Sequence, residues 1–276
     1  MEAYDAVVIG AGPAGLTAAV YLARFRRKVL VLGDGPSRAS WIPESHNTPG
    51  FPHGVGGGEL LARLTAQALE FGAEIRQARV DALAEADEGF EVAAGAAAIR
   101  APSVLLATGV LDRMPDLPGI EAAVRRSLVR MCPICDAYEA VGRRIAVLGD
   151  GGLAEREAAF LKTYSDDVTV IGTGEGALTL EEAAVRWSGP DGAAPRSFDH
   201  LYLALGCESQ SDLAVRRGAR RDDDGNLIVD AHQMTSVDGL YAAGDLVRGL
   251  NQIAVAAGEA AIAATAMHNR LRRRGS

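Results

Sequence analysis

At 276 residues, the chain is long enough to bury one large core or two ordinary ones, and 48% hydrophobic with 23% charged residues is the usual balance of a folded, water-exposed domain. A formal net charge of −8 argues against a nucleic-acid partner, because neutralising phosphates takes an excess of Lys and Arg. No run of ~18 apolar residues suggests a membrane span, and three cysteines do not make a disulfide scaffold.

Met1 leads within a few residues into a strand pattern with no leader-like segment, so a cytoplasmic protein is expected. Ala6 to Ile9 is wholly apolar, as a buried parallel strand requires. The turn Gly10-Ala-Gly12-Pro13-Ala14-Gly15 follows, then an Ala- and Leu-rich helix over Leu16 to Arg24, then a second apolar strand over Lys28 to Leu32. In this context a GxGxxG turn reads as a dinucleotide cradle. Gly10 permits the tight turn, Gly12 admits a pyrophosphate, Gly15 lets helix pack on strand, and the helix N-terminus faces the phosphates. The acid that grips ribose hydroxyls is expected to close the second strand, but Gly33 stands there and Asp34 follows. Either Asp34 serves with a shift of one residue, or backbone holds the ribose.

The same grammar returns at Ile145 to Leu148, with the turn Gly149-Asp150-Gly151-Gly-Leu-Ala154, a helix over Ala154 to Lys162 and a strand over Val168 to Ile171. Two such units suggest two dinucleotides, flavin on one and nicotinamide on the other. The second unit is abbreviated. Gly172-Thr173-Gly174-Glu175 supplies neither an acid at the strand end for NAD nor an arginine for the 2′-phosphate of NADP. Between it and the strand-like His200 to Gly206 lie "ALTLEEAAVRW" and the Gly/Pro loop "SGPDGAAP", with little room for another crossover. Gly149, Gly151 and Ala154 therefore mark a vestigial nucleotide site.

Between the two units stands Cys132-Pro-Ile-Cys135-Asp136. Three readings compete. A zinc site needs about four ligands, and Cys207 with one of His46, His53, His200, His232 or His268 would have to complete it. No histidines fall at paired metal spacing, so no metal is expected. A static disulfide is uncommon in a reducing compartment. A redox couple fits best, since two intervening residues let both sulfurs meet. Asp136 is a candidate proton carrier, with helix capping over "DAYEAVG" as its plainer role. Cys207 stands far in sequence from the other two cysteines and reads as a buried or half-exposed thiol. Trp41 reads equally as a cover for the flavin and as an interface or core residue, whereas His46 and His53 read mainly as structural. Asp222 to Asn226 reads as a turn rather than a calcium loop, lacking spaced ligands and a terminal Glu. "NRLRRR" reads as the capped end of a last helix.

The ordered set "GAGPAGLTAAVYLAR", "NTPGFPHGVGGGELLARLTAQALEFGAEI", "LLATG", "CPICD" and "GLYAAGD" followed by "NQI" resembles the low-molecular-weight, bacterial-type thioredoxin reductases along nearly the whole chain. The resemblance implies an α/β protein of two Rossmann-like three-layer nucleotide-binding domains. Residues 1–110 and 237–276 would form a discontinuous FAD domain. Residues 111–236 would form an inserted, shortened domain of the NAD(P)H type that carries the dithiol. It implies FAD contacts from Gly10, Gly12, Pro13, Ala14 and Gly15 at the pyrophosphate. Asn47, Val80, Thr108, Gly109, Gly33 and Asp34 would lie along the cofactor, Gly244 and Asp245 at the ribitol, and Asn251, Gln252 and Ile253 at the isoalloxazine. Cys135 would face the flavin, Cys132 would attack a partner disulfide, and Asp136 would move the proton. A homodimer acting on a thioredoxin-like protein or a small disulfide or dithiol is implied. The family's basic motif for the NADPH 2′-phosphate is absent at Gly172-Thr173-Gly174, and Asn251 replaces the family's usual arginine. NADPH use is therefore expected to be weak or lost, with ferredoxin or oxygen as possible electron partners. An ordinary NADPH-dependent reductase and a flavin-loaded redox sensor without turnover are the alternatives.

Overall fold

The structure is a computed structural model that describes residues 2–190 and 194–274. The middle of the "SGPDGAAP" loop lies outside the described residues. The described chain resolves into two units: residues 2–40, 58–111 and 209–274 form the first, and residues 41–57, 112–190 and 194–208 form the second.

The first unit begins with β1 (Glu2–Ala3), β2 (Ala6–Ile9), α1 (Pro13–Arg24) and β3 (Val29–Gly33). It continues through α2 (Gly57–Glu70), β4 (Glu74–Gln77), β5 (Ala82–Ala86), β6 (Gly89–Ala94), β7 (Ala97–Ala101), β8 (Val104–Leu106) and the crossing strand β9 (Val110–Asp112). Pro13 at the first turn and the Ala/Leu-rich run that follows favour α1, because Pro is preset for that position and the others lose little entropy. A five-stranded parallel sheet has the order β18-β8-β2-β3-β4, where β18 is the late strand Leu240–Ala242. Strand alternation splits its side chains between two layers. Ala6 and Val8 pack with α1 and with Ala256, Ala260 and Ala263, residues of the C-terminal helix, whereas Val7 and Ile9 pack with β6 residues Phe90 and Val92.

The second unit holds α3 (Ile120–Arg125), β10 (Val129–Arg130), α4 (Pro133–Asp136), β11 (Ile145–Leu148), α5 (Gly151–Leu161) and β12 (Val168–Ile171). An antiparallel meander of β13 (Ala177–Leu180), β14 (Val185–Ser188) and β15 (Arg196–Phe198) leads to β16 (His200–Leu203) and the crossing strand β17 (Cys207–Ser209). The parallel sheet has the order β10-β16-β11-β12. Ala146, Leu148 and Leu201 face the α3 side, and Ile145, Val147 and Tyr202 face α5. Both units are thus Rossmann-like three-layer α/β folds, and in the second the meander stands where a further helical crossover would lie.

The chain then returns to the first unit with α6 (Asp212–Arg216), β18, α7 (Asp245–Arg248) and α8 (Ile253–Arg274). The return differs from the boundary at residue 237 drawn from sequence. Ala214, Ala219 and Leu227 are buried in the cluster that contains Val7, Ile9 and Leu106, so residues 209–236 belong to that core. Residues 41–57 fall in the second unit, where Trp41 packs against the cluster that includes Leu128 and Val129. Asp222 does close a turn, its Oδ1 accepting the amides of Asp224 and Asn226 at 3.0 and 2.8 Å, and Arg221 bridges Leu227 across it.

Glu157 on α5 carries an orphaned carboxyl: Oε2 is buried without a hydrogen-bond partner among the described residues. Burial pushes its pKa up to about 7 from an ordinary 4.5, with the Arg156 charge pulling back. The neutral acid is therefore the form that suits the fold. That stability is full below about pH 4.5 and is lost as the pH rises through about 7. Glu157→Gln is expected to raise the melting temperature by about 2 °C or more near pH 8 and to leave it unchanged near pH 4, as read by circular dichroism.

Candidate functional site

In the first unit, the glycine turn forms because side chains have no room there. A Cβ on Gly10 (φ +114°) would lie 2.1 Å from the Ala107 carbonyl oxygen, and one on Gly15 would lie 1.8 Å from that of Gly10. Gly33 has a related reason: its Cβ would meet the Ala11 methyl at 2.8 Å. The strand therefore runs one residue beyond its expected end, and Asp34 follows it, exposed and 3.9 Å from Arg79.

Several of the sequence-predicted residues gather round this turn. Gly244 (φ +90°) stands 3.1 Å, measured from a built Cβ, from the Ala14 methyl. This brings the Gly244-Asp245 turn beside Ala14 at the start of α1. The Thr108-Gly109 turn follows Ala107, its hydroxyl donating to the Gln210 carbonyl at 2.6 Å. Gln252 sits just before α8, its carbonyl accepting the Ala256 amide at 2.9 Å, and Ile253 opens the helix. Val80 packs in the core with Leu83 rather than lining the turn. Asn47 falls in the second unit, where its Nδ2 donates to the Ile134 carbonyl at 3.4 Å.

Two residues that the sequence reading missed organise this cradle. Glu259 of α8, only 4% exposed, accepts the Gly244 amide at 2.9 Å and pairs with Arg248 at 2.5 Å. It fixes the turn that presents Asp245. Arg38 lies 3.5 Å from Asp245, next to Ser37, whose hydroxyl would be 3.1 Å from a Cβ on Gly12. A buried Glu in an alanine-rich helix was the available signal for the first, since a buried charge must be paired. The turn at the head of an apolar sheet fits FAD: Gly10, Gly12 and Gly15 present backbone without side chains there, and the turn leads straight into the N-terminus of α1.

In the second unit, Cys132 and Cys135 form a disulfide with Cα atoms 5.3 Å apart across the start of α4. The Cys135 amide donates to the Cys132 carbonyl at 3.0 Å, which closes the turn. No cluster of metal-ligating side chains occurs among the described residues. Cys207 is exposed on β17, more open than its sequence suggested. Asp136 does not cap the following turn. Its Oδ2 instead pairs with the buried Arg130 guanidinium at 2.9 Å. Burial raises the Asp136 carboxyl above the ordinary carboxylate range, and Arg130 opposes that rise.

At the second glycine turn, a Cβ on Gly149 would meet the Ala204 carbonyl oxygen at 2.4 Å, and α5 begins at Gly151. Beyond β12 the architecture changes. Asp150 accepts the Thr173 amide at 2.9 Å and the Thr173 hydroxyl, and Glu175 accepts the Gly172 amide at 3.1 Å. The two Thr173 bonds hold Asp150 below the usual carboxylate range. A cavity of about 280 Å³ lies here, walled by Leu148, Ile171 and Leu205, with Glu175 as its one ionisable residue among the described ones.

Fold and site together define a two-unit dinucleotide-binding oxidoreductase with a dithiol–disulfide pair. The chain belongs to the pyridine nucleotide-disulphide oxidoreductase family, which it matches over residues 4–189 and 191–260. Thioredoxin reductase of Mycolicibacterium smegmatis is 31% identical, the match spanning 95% of this chain and 94% of that protein. The structure of thioredoxin reductase from Giardia duodenalis superposes with a TM-score of 0.87 at 25% identity, covering 99% of this chain and 100% of that one. The structure of the atypical thioredoxin reductase TRi from Desulfovibrio vulgaris Hildenborough is 32% identical with a TM-score of 0.59, covering 97% and 98%. The chain is a flavin-dependent disulfide oxidoreductase of the thioredoxin reductase-like type, with FAD as its cofactor. Among the described residues, no helix is long and apolar enough to cross a membrane.

The chain has three cysteines. A thiol titration of the unfolded, unreduced protein is expected to find one, Cys207, and to find all three after reduction. Three thiols before reduction would show the pair open in the isolated protein.

Proposed function

We propose that this protein exchanges electrons between FAD and a thioredoxin-like protein or small disulfide or dithiol through Cys132 and Cys135, with NADPH binding weak or lost. In this reading Gly10, Gly12, Pro13, Ala14 and Gly15 hold the pyrophosphate. Gly33, Asp34, Thr108, Gly109, Gly244, Asp245, Asn251, Gln252 and Ile253 complete the FAD contacts within the first unit. FAD supplies two-electron chemistry when bound. A cytoplasmic homodimer is part of the same proposal.

The chain's own step is thiol–disulfide exchange. The Cys132 thiolate attacks one sulfur of the partner disulfide, forming a mixed disulfide and releasing the other sulfur as a thiolate that takes a proton. The Cys135 thiolate then attacks Cys132, forming the Cys132–Cys135 bond and expelling the second partner sulfur, which also takes a proton. The chain's dithiol is oxidised and the partner's disulfide reduced, and the two protons lost by one are gained by the other. Asp136 serves as the acid–base group for these transfers. The reverse sequence oxidises a dithiol.

The observation that carries the donor assignment is the chemistry beyond β12. The amides of Gly172 and Thr173 are taken by the chain's own carboxylates. A 2′-phosphate brought there meets like charge at Asp150 and Glu175, with no lining cation among the described residues.

The test is anaerobic mixing of the yellow protein with NADPH, NADH or dithiothreitol, following the flavin band near ~450 nm. Dithiothreitol is expected to bleach the flavin and both nucleotides to leave it oxidised over the same time. Cys135→Ser is expected to abolish the dithiol reaction. Rapid bleaching by NADPH would sink the donor assignment and restore an ordinary reductase.

A further inference from the structure

The acid beside the disulfide is gripped by a charge placed inside a sheet. Arg130 is half of the two-residue strand β10, paired in parallel with β16, and its side chain is 8% exposed. A guanidinium so placed is tolerated only when its donors find acceptors. Besides the 2.9 Å contact to Asp136 Oδ2, Nη1 donates to the Asp136 carbonyl at 3.4 Å. Nε faces His200 Nδ1 at 3.3 Å, and that nitrogen also lies 3.1 Å from the Ser127 carbonyl oxygen. From β16, Tyr202 donates its hydroxyl to the same Asp136 carbonyl at 3.2 Å. Two strands therefore hold the side chain and the main chain of the residue after Cys135.

The carboxylate is left divided. Arg130 occupies Oδ2, whereas Oδ1 is buried with no hydrogen-bond partner among the described residues. An unmet buried acceptor is costly in a folded protein and calls for a role.

We propose that Arg130 is the positioning residue for Asp136: it clamps Oδ2 and so reserves Oδ1 as the oxygen that takes and returns the thiol proton during exchange. This rests on the reading of Asp136 as the acid–base group. The groups facing the carboxyl are Arg130 from β10, Tyr202 from β16 and Glu139 from the turn after α4, with His200 of β16 lying against Arg130. Burial and Glu139 favour the protonated acid, and Arg130 together with the Tyr202 hydroxyl favours the carboxylate. Burial and the Arg130 charge push His200 down to about 4, so it is neutral at working pH, and burial keeps the Tyr202 hydroxyl protonated. Arg130 is thus the one facing cation that opposes protonation, and removing it moves Asp136 toward a form that cannot accept a proton.

The test uses the flavin-loaded protein, reduced and then reoxidised by a small aromatic disulfide at a series of pH values from about 5 to 9. Arg130→Met is expected to shift the acidic limb of the rate profile upward by about one pH unit, so that the rate on that limb falls roughly tenfold at fixed pH. Arg130→Lys is expected to recover most of that loss. In an Asp136→Asn background the limb is absent, and adding Arg130→Met shifts nothing further. An unmoved limb in Arg130→Met, with the limb lost in Asp136→Asn, overturns the clamp and leaves the acid–base reading standing. A limb that survives Asp136→Asn overturns both. If Arg130→Met does not fold, Arg130→Gln keeps donors without the charge, and the same shift is required of it.

Discussion

Both units depend on one steric constraint: the strand before each glycine turn must end against its neighbour's backbone with no side chain between. At Gly10 the obstruction is the Ala107 carbonyl, and at Gly149 it is that of Ala204. Once the chain turns there, it enters α1 in one unit and α5 in the other, with the helix N-terminus at the carboxyl edge of a parallel sheet. Everything offered to a ligand follows from that edge. The glycines are fixed by sterics, and the polar residues around them set what the edge can bind.

The two edges then part company. In the first unit, Glu259 spends its buried charge on Gly244 and Arg248, which leaves Asp245 presented beside the glycine turn and within reach of Arg38. In the second, Asp150 and Glu175 turn inward onto the amides that a nucleotide ribose would approach. The same local grammar thus yields a cradle in one place and a self-satisfied, anionic loop in the other. The meander of β13 to β15 belongs to this change, because its first strand starts six residues after β12, where a helical crossover would be too long to fit.

The dithiol stands in a different electrostatic setting. Around Asp136 the sheet contributes a cation and a phenol from two adjacent strands, both drawn to one short helix, with a neutral imidazole against the cation. Buried polar groups of this kind add little to net stability, because desolvation consumes most of what their pairing returns. Their value lies in holding one geometry, here that of the residue following Cys135.

Sequence by itself determined the parts that depend on local pattern. Apolar runs of four or five residues, glycine turns and Ala-rich helices fixed both Rossmann-like units, and the Cys132–Cys135 spacing marked the redox pair. These were legible because the spacing of residues along the chain sets their geometry. Tertiary structure alone decided where residues 209–236 belong, since the burial of Ala214 and Leu227 in a core with Val7 depends on contacts about two hundred residues apart. It also decided the partners of the charges. Arg130 of β10 and Tyr202 of β16 lie far apart in the chain, and nothing in their local sequence says that they converge on Asp136. Pairing of buried charge is a property of packing, and packing brings together residues that the chain keeps far apart.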